Sequence, residues 1–553
     1  MRAGYQNGRD RRVLSSQCAM DLMGLFLCST VIFGSTARAQ DATKLSAPQK
    51  AAPVHHKHVA KAKKQAHAKP TTVASETARP TPPDAAAAAA AASPARFDKV
   101  YGFKGWDIGF PSMGDSLLQD YGGWRSALAA NGFGFLTFSV DTFNLNMLNT
   151  PTKVPATSFV PSLGIQSAYP FCPTRPSQAV CAGNQLYFGQ RPSYYSFIGS
   201  YLTYDLSRWG VPDGQLQLAG NVLFSSDRAY QASGFQFSWV SWYQTLFDKK
   251  LELQIGYFTA DAEFVGLFVG GNFSNTFGVA AAIPIEMGLS YSPTQAPTAK
   301  ITWHLTDTVY NVTAALRSLP VNQNPTTPNL TGNSLVDEVF LNPTGMRFTE
   351  PHTGALLLDE FGYRNDAAPG APQTWARFGA MYNTAAFADY TRLATASTIN
   401  GNSAMYFLAD RQLLQVAPDS PYTAYRGIYA GISAMYSPPS EVAYSQYYEA
   451  RLYTIGFFDA RPTDMITLVY NHNVFSHYLS DFVNAQTATL ASEGFAVPLA
   501  HHAANSVTLS YLAHLMPGIY LNLGASYSDH PSIEYFKTQG SSLNFLASLT
   551  TIF

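Results

Sequence analysis

The sequence predicts a transmembrane antiparallel β-barrel of about 16 strands, an all-β fold preceded by a short helix and a disordered N-terminal tail. Three observations lead to this fold. Only 13% of the 553 residues are charged, about half the share of a soluble domain. The mean hydropathy is −0.06 and the chain contains no run of 18 apolar residues, which excludes membrane-spanning helices. Apolar residues instead alternate with neutral polar ones, as in strands with one lipid-facing side.

Residues 1–39 are typical of a secretory signal peptide. Four arginines between Arg2 and Arg12 precede an apolar stretch at 22–35 that is too short to span a membrane. The sequence Ala37-Arg38-Ala39 fits a cleavage site for signal peptidase. We therefore expect cleavage after Ala39 and export of the protein.

Residues 40–96 predict a disordered periplasmic tail rich in Lys, Ala and Pro. This segment carries nine basic and three acidic residues, a composition that buries too little apolar area to fold. A solvated spacer and an electrostatic tether to peptidoglycan are both consistent with it. His55, His56 and His58 lack the cysteine or carboxylate partners of an ordinary metal site. No metal or other cofactor is predicted.

Residues 97–553 carry 21 basic and 31 acidic residues, a net charge of −10. This balance leaves no basic patch of the size that nucleic acid requires, so a nucleic-acid partner is not predicted. We expect a pre-barrel segment with a short helix at 97–131 and the barrel at 132–553. Gly132 suits the position that follows a helix, and the alternation begins at Phe133.

Segments of about ten residues with two different faces follow along the body of the chain. In 215–225, the apolar side chains share one face, and Gln215, Gln217 and Asn221 share the other. Similar hairpins are predicted at 235–257, 299–316 and 507–525. Their short turns contrast with the long connection at 150–194, and this asymmetry is typical of outer-membrane barrels.

Aromatic residues near the predicted strand ends are expected in the girdles at the membrane surfaces. They are Trp239, Trp242, Trp303, Tyr310, Tyr511 and Tyr527. The last strand ends the chain at Phe553. A final aromatic residue resembles the insertion signal of bacterial barrel proteins, so Phe553 is the predicted signal. The barrel assembly machinery and outer-membrane lipid are the expected partners.

Cys172 and Cys181 are the two cysteines that remain after signal cleavage. In an exported protein, this spacing favours a disulfide that closes a small loop, although two unpaired thiols are the alternative. The closed loop is the first candidate for a segment that folds into the pore.

Several stretches, in this order, resemble the carbohydrate-selective porin family of the OprB type. They are Asp120–Gly132, 264–272 (FVGLFVGGN), 354–363 (GALLLDEFGY), 375–379 (WARFG) and 457–464 (FFDARPTD). The resemblance spans roughly 115–553. It implies a 16-stranded barrel in the outer membrane of a Gram-negative bacterium, with inward-folded loops that narrow the pore. It also implies passive diffusion of monosaccharides such as glucose, or of small oligosaccharides.

A sugar that crosses a barrel needs hydrogen-bonding groups that hold it weakly enough to release it again. From the alternation we predict the following substrate-lining residues: Asp141, Gln215, Gln217, Glu252, Lys300, Arg377, Glu449 and Arg451. Glu449 and Arg451 share one face and offer fixed donors and acceptors to vicinal hydroxyls. The alternative is that these charges stiffen the wall at a distance from the substrate.

Two other functions stay open beside sugar diffusion. One is a general or ion-selective porin, and the other is a structural outer-membrane protein that is tethered to peptidoglycan by residues 40–96. The chain lacks the G-x-S-x-G, H-E-x-x-H and phosphate-loop motifs. We therefore do not predict an enzyme.

Overall fold

The computed structural model describes residues 104–105, 114–148, 187–226, 233–265, 282–291, 294–321, 323, 334–395, 397–492, 499–535 and 540–553. The predicted signal peptide, the tail and the Cys172–Cys181 disulfide lie outside the described residues, so they stay predictions.

Sixteen antiparallel strands form one closed barrel, which confirms the predicted fold and strand number. The strands are β1 Phe133–Asn146, β2 Ser193–Asp205, β3 Gln215–Ser225, β4 Gly234–Leu246, β5 Leu251–Phe258, β6 Ala296–His304, β7 Val309–Arg317, β8 Ala355–Asn365, β9 Thr374–Ala388, β10 Thr398–Gln415, β11 Gly427–Tyr436, β12 Tyr444–Ile455, β13 Met465–Phe475, β14 Ala503–Met516, β15 Ile519–Ser528 and β16 Ser542–Ile552. Each strand pairs with its neighbours in sequence, and β1 closes the ring against β16 with Phe138 opposite Ile552. The short strands Leu499–Ala500 and Glu534–Tyr535 pair with each other outside this sheet.

Helices are few in the described part of the chain. They are α1 Trp124–Ala130, α2 Asp261–Phe264, α3 Ala282–Glu286, α4 Ser334–Leu341 and α5 His477–Ser492, with 3-10 turns at Tyr121–Gly123, Leu206–Trp209 and Tyr390–Thr395. None of these helices is long and apolar enough to cross a membrane. Gly132 follows α1 with a φ of 83°, and its N–H donates to Ala129 O at 2.9 Å. This glycine therefore ends the helix in a left-handed conformation, as the sequence predicts.

The two ends of the barrel differ in the length of their connections. At the short-turn end, residues 247–250, 305–308 and 517–518 join successive strands. At the long-loop end, the β5–β6 connection is 259–295 and the β7–β8 connection is 318–354. Short turns face the periplasm in outer-membrane barrels, and long loops face outward.

The strands have one lipid-facing side and one inner side. Along β3, Leu218 and Phe224 are 44% and 52% exposed, whereas Gln215 and Asn221 are almost fully buried inside the barrel. The apolar residues of the alternating pattern therefore lie on the lipid-facing side of the strand.

The inner space of the barrel is partly filled by two inward-folded connections. Ile283 and Met287 of the β5–β6 connection belong to one apolar cluster with Leu358, Tyr406 and Tyr447 of the inner wall. The inner wall is therefore apolar where these connections pack against it and polar elsewhere.

One predicted lumen residue, Asp141, faces the outer side of the wall. Asp141 pairs with Leu549 of β16 on the outer side of the wall, where its carboxylate accepts a hydrogen bond from the Tyr194 hydroxyl. The inner side of β1 instead carries the apolar, buried residues Phe138 and Val140. The prediction that Asp141 lines the lumen is therefore wrong, because β1 has apolar residues on both faces.

Two of the aromatic residues expected in the girdles also lie inside. Between β3 and β4, Ala219 pairs with Trp239 and Gly220 with Phe237, so Ser238 is an extra residue in a β-bulge that turns Trp239 inward. Tyr310 packs against the interior apolar cluster. The other four are on the outer side and 37–56% exposed: Trp242, Trp303, Tyr511 and Tyr527.

Candidate functional site

The β5–β6 connection is fixed to the inner wall by charged side chains close to α2. Lys300 Nζ of β6 lies 2.8 Å from Glu263 Oε1, and the Lys300 side chain is only 1% exposed. Arg377 Nη2 of β9 donates to the Val265 carbonyl oxygen at 3.1 Å. Two predicted site residues, Lys300 and Arg377, therefore hold this connection at the inner wall.

Hydrogen bonds fix the part of the same connection around α3. Asn383 Nδ2 donates to Met287 O at 2.8 Å, and the Tyr444 N–H donates to Glu286 Oε2 at 3.0 Å. Burial raises the pKa of the Glu286 carboxyl well above its usual value. Residues 282–287 of the connection are therefore fixed to the inner wall of the barrel.

The β7–β8 connection is held in a similar way through α4. Arg317 at the end of β7 makes two bonds to the Glu338 carboxylate, at 3.1 and 2.6 Å, and Asn342 Nδ2 adds a third at 2.8 Å. Gln236 Nε2 of β4 donates to Asn342 O at 3.4 Å. These two connections narrow the long-loop half of the lumen.

Beside them, one group on β7–β10 combines aromatic rings with an ion pair. Glu360 accepts from the Tyr310 hydroxyl at 3.1 Å and from the Tyr406 hydroxyl at 2.7 Å, and its Oε2 lies 3.9 Å from Arg377 Nη1. The Arg377 guanidinium lies 3.8 Å from the centre of the Trp375 ring. Sequence reasoning identified only Arg377 in this group. The available signal was the pair Asp359-Glu360, since one of two successive strand residues must face inward.

Glycines let the large side chains of this group lie flat along the wall. A Cβ at Gly362 would overlap the Tyr310 ring, and one at Gly379 would overlap the Tyr406 ring. Both side chains therefore lie over glycines of the neighbouring strands and do not project across the lumen.

Glu449 and Arg451 belong to a second network across β10, β11 and β12. Arg451 bonds to Asp410 at 2.9 and 2.5 Å, to Glu449 at 2.7 Å and to Ser433 Oγ at 2.7 Å. The Arg451 side chain crosses Gly431, where a Cβ would overlap Asp410 Oδ1. The side chains of Arg451 and Glu449 are 0% exposed, whereas that of Asp410 is 11% exposed. This geometry favours the wall-stiffening alternative for Arg451.

Gln215 and Gln217 point inward, as predicted, and bind other protein groups. Gln217 Oε1 accepts bonds from Trp239, Ser241 and Gln254, each at 3.0 Å. The Gln217 Nε2 donates to Gln215 Oε1 at 2.9 Å. Both amides are therefore part of a hydrogen-bonded wall.

Glu252 also points inward, and its Oε1 lies 2.8 Å from His304 Nε2. The side chains of His304 and Glu252 are 31% and 9% exposed. The pair therefore offers polar atoms to the lumen near the short-turn end.

The C-terminal Phe553 is bound to the pre-barrel helix as well as to the barrel. Its N–H donates to Thr137 O at 2.8 Å, and its carbonyl oxygen accepts from Arg125. Arg125 is only 1% exposed, and its Nη1 donates to Phe135 O at 2.8 Å. The short helix therefore ties the first and last strands together.

Comparisons with known proteins give one family match and several similar barrel structures. The model of the carbohydrate-selective porin, OprB family, matches residues 213–540. The high-pH structure of Pseudomonas putida OprB is similar to this chain with a TM-score of 0.58 at 17% identity, over 81% of this chain and 98% of that chain. The low-pH structure of that protein gives 0.44 at 12% identity, over 79% and 98%. Salmonella typhi OmpF in complex with daunomycin gives 0.40 at 8%, over 77% and 99%.

A search of curated proteins found no match. At 17% identity, the likeness to Pseudomonas putida OprB supports the barrel fold alone. The family match carries the function, which is that of a channel in the outer membrane. Because the family model covers more than half of the chain, this protein belongs to the OprB family of carbohydrate-selective porins.

Proposed function

We propose that this porin passes small, neutral, glucose-like sugars by passive diffusion through a lumen narrowed by the β5–β6 and β7–β8 connections. The observation that carries the proposal is the pairing of the basic groups on the inner wall. Lys300, Arg317, Arg377 and Arg451 each lie against a carboxylate. A wall of paired charges gives no strong preference to ions of either sign, which favours an uncharged solute over the ion-selective alternative.

Within two of these pairs, the carboxylate is the partner that solvent reaches. The Glu263 side chain is 19% exposed against 1% for Lys300, and that of Asp410 is 11% exposed against 0% for Arg451. Carboxylates accept hydrogen bonds from hydroxyls, whereas they repel anions. We therefore assign Glu263 and Asp410 to the substrate hydroxyls, with Glu252, Lys300, Arg377 and the Trp375 ring in supporting positions.

Liposome swelling and bilayer conductance test this proposal on the purified protein. We expect glucose to enter liposomes faster than glucuronate, which has the same ring and one negative charge, and we expect glucose to reduce the conductance. Equal entry of both solutes without a sugar block would favour a general porin. Absence of conductance would favour a structural protein.

We also propose that the tail at 40–96 lies in the periplasm. The support is the position of α1, which precedes β1 at the short-turn end and contacts the C-terminal residue there through Arg125. Short turns lie on the periplasmic side of such barrels, where peptidoglycan is found. Deletion of residues 42–92 should weaken attachment to isolated peptidoglycan if the tail is a tether, and leave it unchanged if the tail is a spacer.

The roles proposed for Phe553, the barrel assembly machinery and outer-membrane lipid require a test in cells. Deletion of Phe553 should lower the amount of barrel in the outer membrane, while replacement by Tyr should preserve it. Equal insertion of both variants would remove the insertion role of Phe553.

A further inference from the structure

Residues 104–105 of the pre-barrel segment lie at the short-turn end of the lumen and meet the wall at β2–β4. The Lys104 N–H donates to Gln215 Oε1 at 3.0 Å, and the Lys104 carbonyl oxygen accepts from Gln217 Nε2 at 2.8 Å. Lys104 Nζ lies 3.8 Å from Asp205 Oδ1. The backbone of this residue is therefore paired like that of a ladder residue, although it belongs to no strand.

The next residue shows that the approach to the wall is close. Gly105 has a φ of +71°, and a Cβ there would overlap the Tyr243 ring. Only glycine combines this backbone conformation with this contact without strain.

Residues 115–117 of the same segment contact strands β14–β16, on the other side of the β1–β16 pair that closes the ring. Asp115 is 5% exposed, and its Oδ2 lies 2.7 Å from His514 Nε2 and accepts from the Tyr520 hydroxyl. The Leu117 N–H donates to Ile552 O at 2.7 Å. A buried carboxylate with two partners fixes this second contact.

The two contacts are separated by a quarter of the ring. Gln217 is on β3 and Tyr520 is on β15, which are four positions apart among the sixteen strands. Both side chains are buried on the inner side of the wall, so the segment occupies lumen space at two points of the short-turn end.

Hydrogen bonds from neighbouring side chains orient the Gln217 amide toward Lys104. Its oxygen accepts from Trp239, Ser241 and Gln254, so its nitrogen is the group that faces Lys104 O. Because a donor set of this kind fixes which way an amide points, the contact with Lys104 is built into the wall.

We propose that Gln217 and Asp115 are positioning residues that hold residues 104–105 and 114–117 inside the lumen, and that these two parts of the pre-barrel segment create a second size-selecting constriction at the short-turn end. This constriction is separate from the one formed by the β5–β6 and β7–β8 connections. The inference rests on the proposed function only in requiring that the protein conducts solutes.

Two substitutions in the full-length protein test it from opposite sides. Gln217→Ala removes the wall amide that binds the Lys104 carbonyl oxygen, and Gly105→Val displaces residues 104–105 through the contact with the Tyr243 ring. Gln244→Ala is the control, because Gln244 is a buried glutamine of β4 that lies opposite Leu253 on the outer face, and its amide bonds to Pro212 O at 2.6 Å in a turn. Single-channel conductance and the ratio of disaccharide to glucose swelling rates are measured for each.

We expect Gln217→Ala and Gly105→Val each to raise the conductance and the disaccharide-to-glucose ratio about twofold or more, since each of two constrictions in series limits passage. Gln244→Ala should behave like the unsubstituted protein. Unchanged values in both test variants, with heat-modifiable electrophoretic mobility showing folded barrels, would overturn the inference. So would an equal rise in the control.

The outcome is distinguishable from failure of the proposed function. If the unsubstituted protein conducts without a glucose block, the neutral-sugar proposal fails, while the ratios between variants still decide whether the pre-barrel segment restricts passage.

Discussion

Removal of the Arg451 side chain should strongly destabilise the barrel. Arg451→Ala deletes the partner of Glu449, which is 0% exposed, and of Asp410, which is 11% exposed. Breaking a buried ion pair by removing one member leaves an uncompensated charge and costs about 3 to 5 kcal/mol. Here two carboxylates lose the same guanidinium partner and keep one tyrosine hydroxyl each, and the Ser433 hydroxyl loses its donor. We therefore expect a loss in the free energy of unfolding at the upper end of that range.

The measurement is urea unfolding of the barrel in lipid vesicles, followed by tryptophan fluorescence and by heat-modifiable mobility. Adding Glu449→Gln and Asp410→Asn to Arg451→Ala should recover part of the loss, because the unpaired charges are then absent. A loss below about 1 kcal/mol for Arg451→Ala would refute the reasoning, because it is the value of an exposed pair.

Three further outcomes follow from the inner segments and the loops. Glu263→Gln removes the charge partner of Lys300 and should increase the swelling rate with disaccharides, whereas no change would place the narrowest passage elsewhere. Glu286→Gln should change the free energy of unfolding by less than about 1 kcal/mol, because burial disfavours the charged carboxylate and the amide oxygen can still accept from the Tyr444 N–H, while Glu286→Lys should prevent folding. Burial, and then the nearby His530, lower the pKa of His501 to about 4. The His501 and His530 rings are 3.6 Å apart between their centres. Since the neutral ring is favoured in the folded protein, this contact should be fully stable above about pH 6.5 and weaken as the pH falls toward 4, measured as protease cleavage of the long loops. His530→Ala should reduce this dependence.

The sequence pattern was sufficient for the strands and insufficient for the direction of some of their faces. The predicted strand at 215–225 has the observed bounds of β3, because its apolar and polar residues separate cleanly. In β4, one extra residue at Ser238 reverses the faces along the strand, and no local composition marks this bulge. Trp239 was therefore assigned to the wrong face.

A second cause of error is the filled interior. Alternation identifies two faces, and the rule that the apolar face contacts lipid holds where the lumen contains water. The inner face is also apolar in β1 and β7. In β7, Val312 and Leu316 belong to the cluster that the β5–β6 connection completes. In β1, Phe138 packs with side chains of other barrel strands. Asp141 and Tyr310 were misplaced for this reason. The long-range contacts that decide it are absent from any ten-residue window.

The location of selectivity follows from which polar groups still have free surface. Gln217 and Arg451 are hydrogen-bonded to other protein groups, so neither presents an available donor to a passing sugar. Glu263 and Asp410 keep exposed carboxylate surface, and Glu263 belongs to an inward-folded connection rather than to a strand. Because a connection changes in length and sequence more readily than a barrel strand, we expect the sugar preference to be set mainly by residues 259–265, while the strand network maintains the space in which that segment sits.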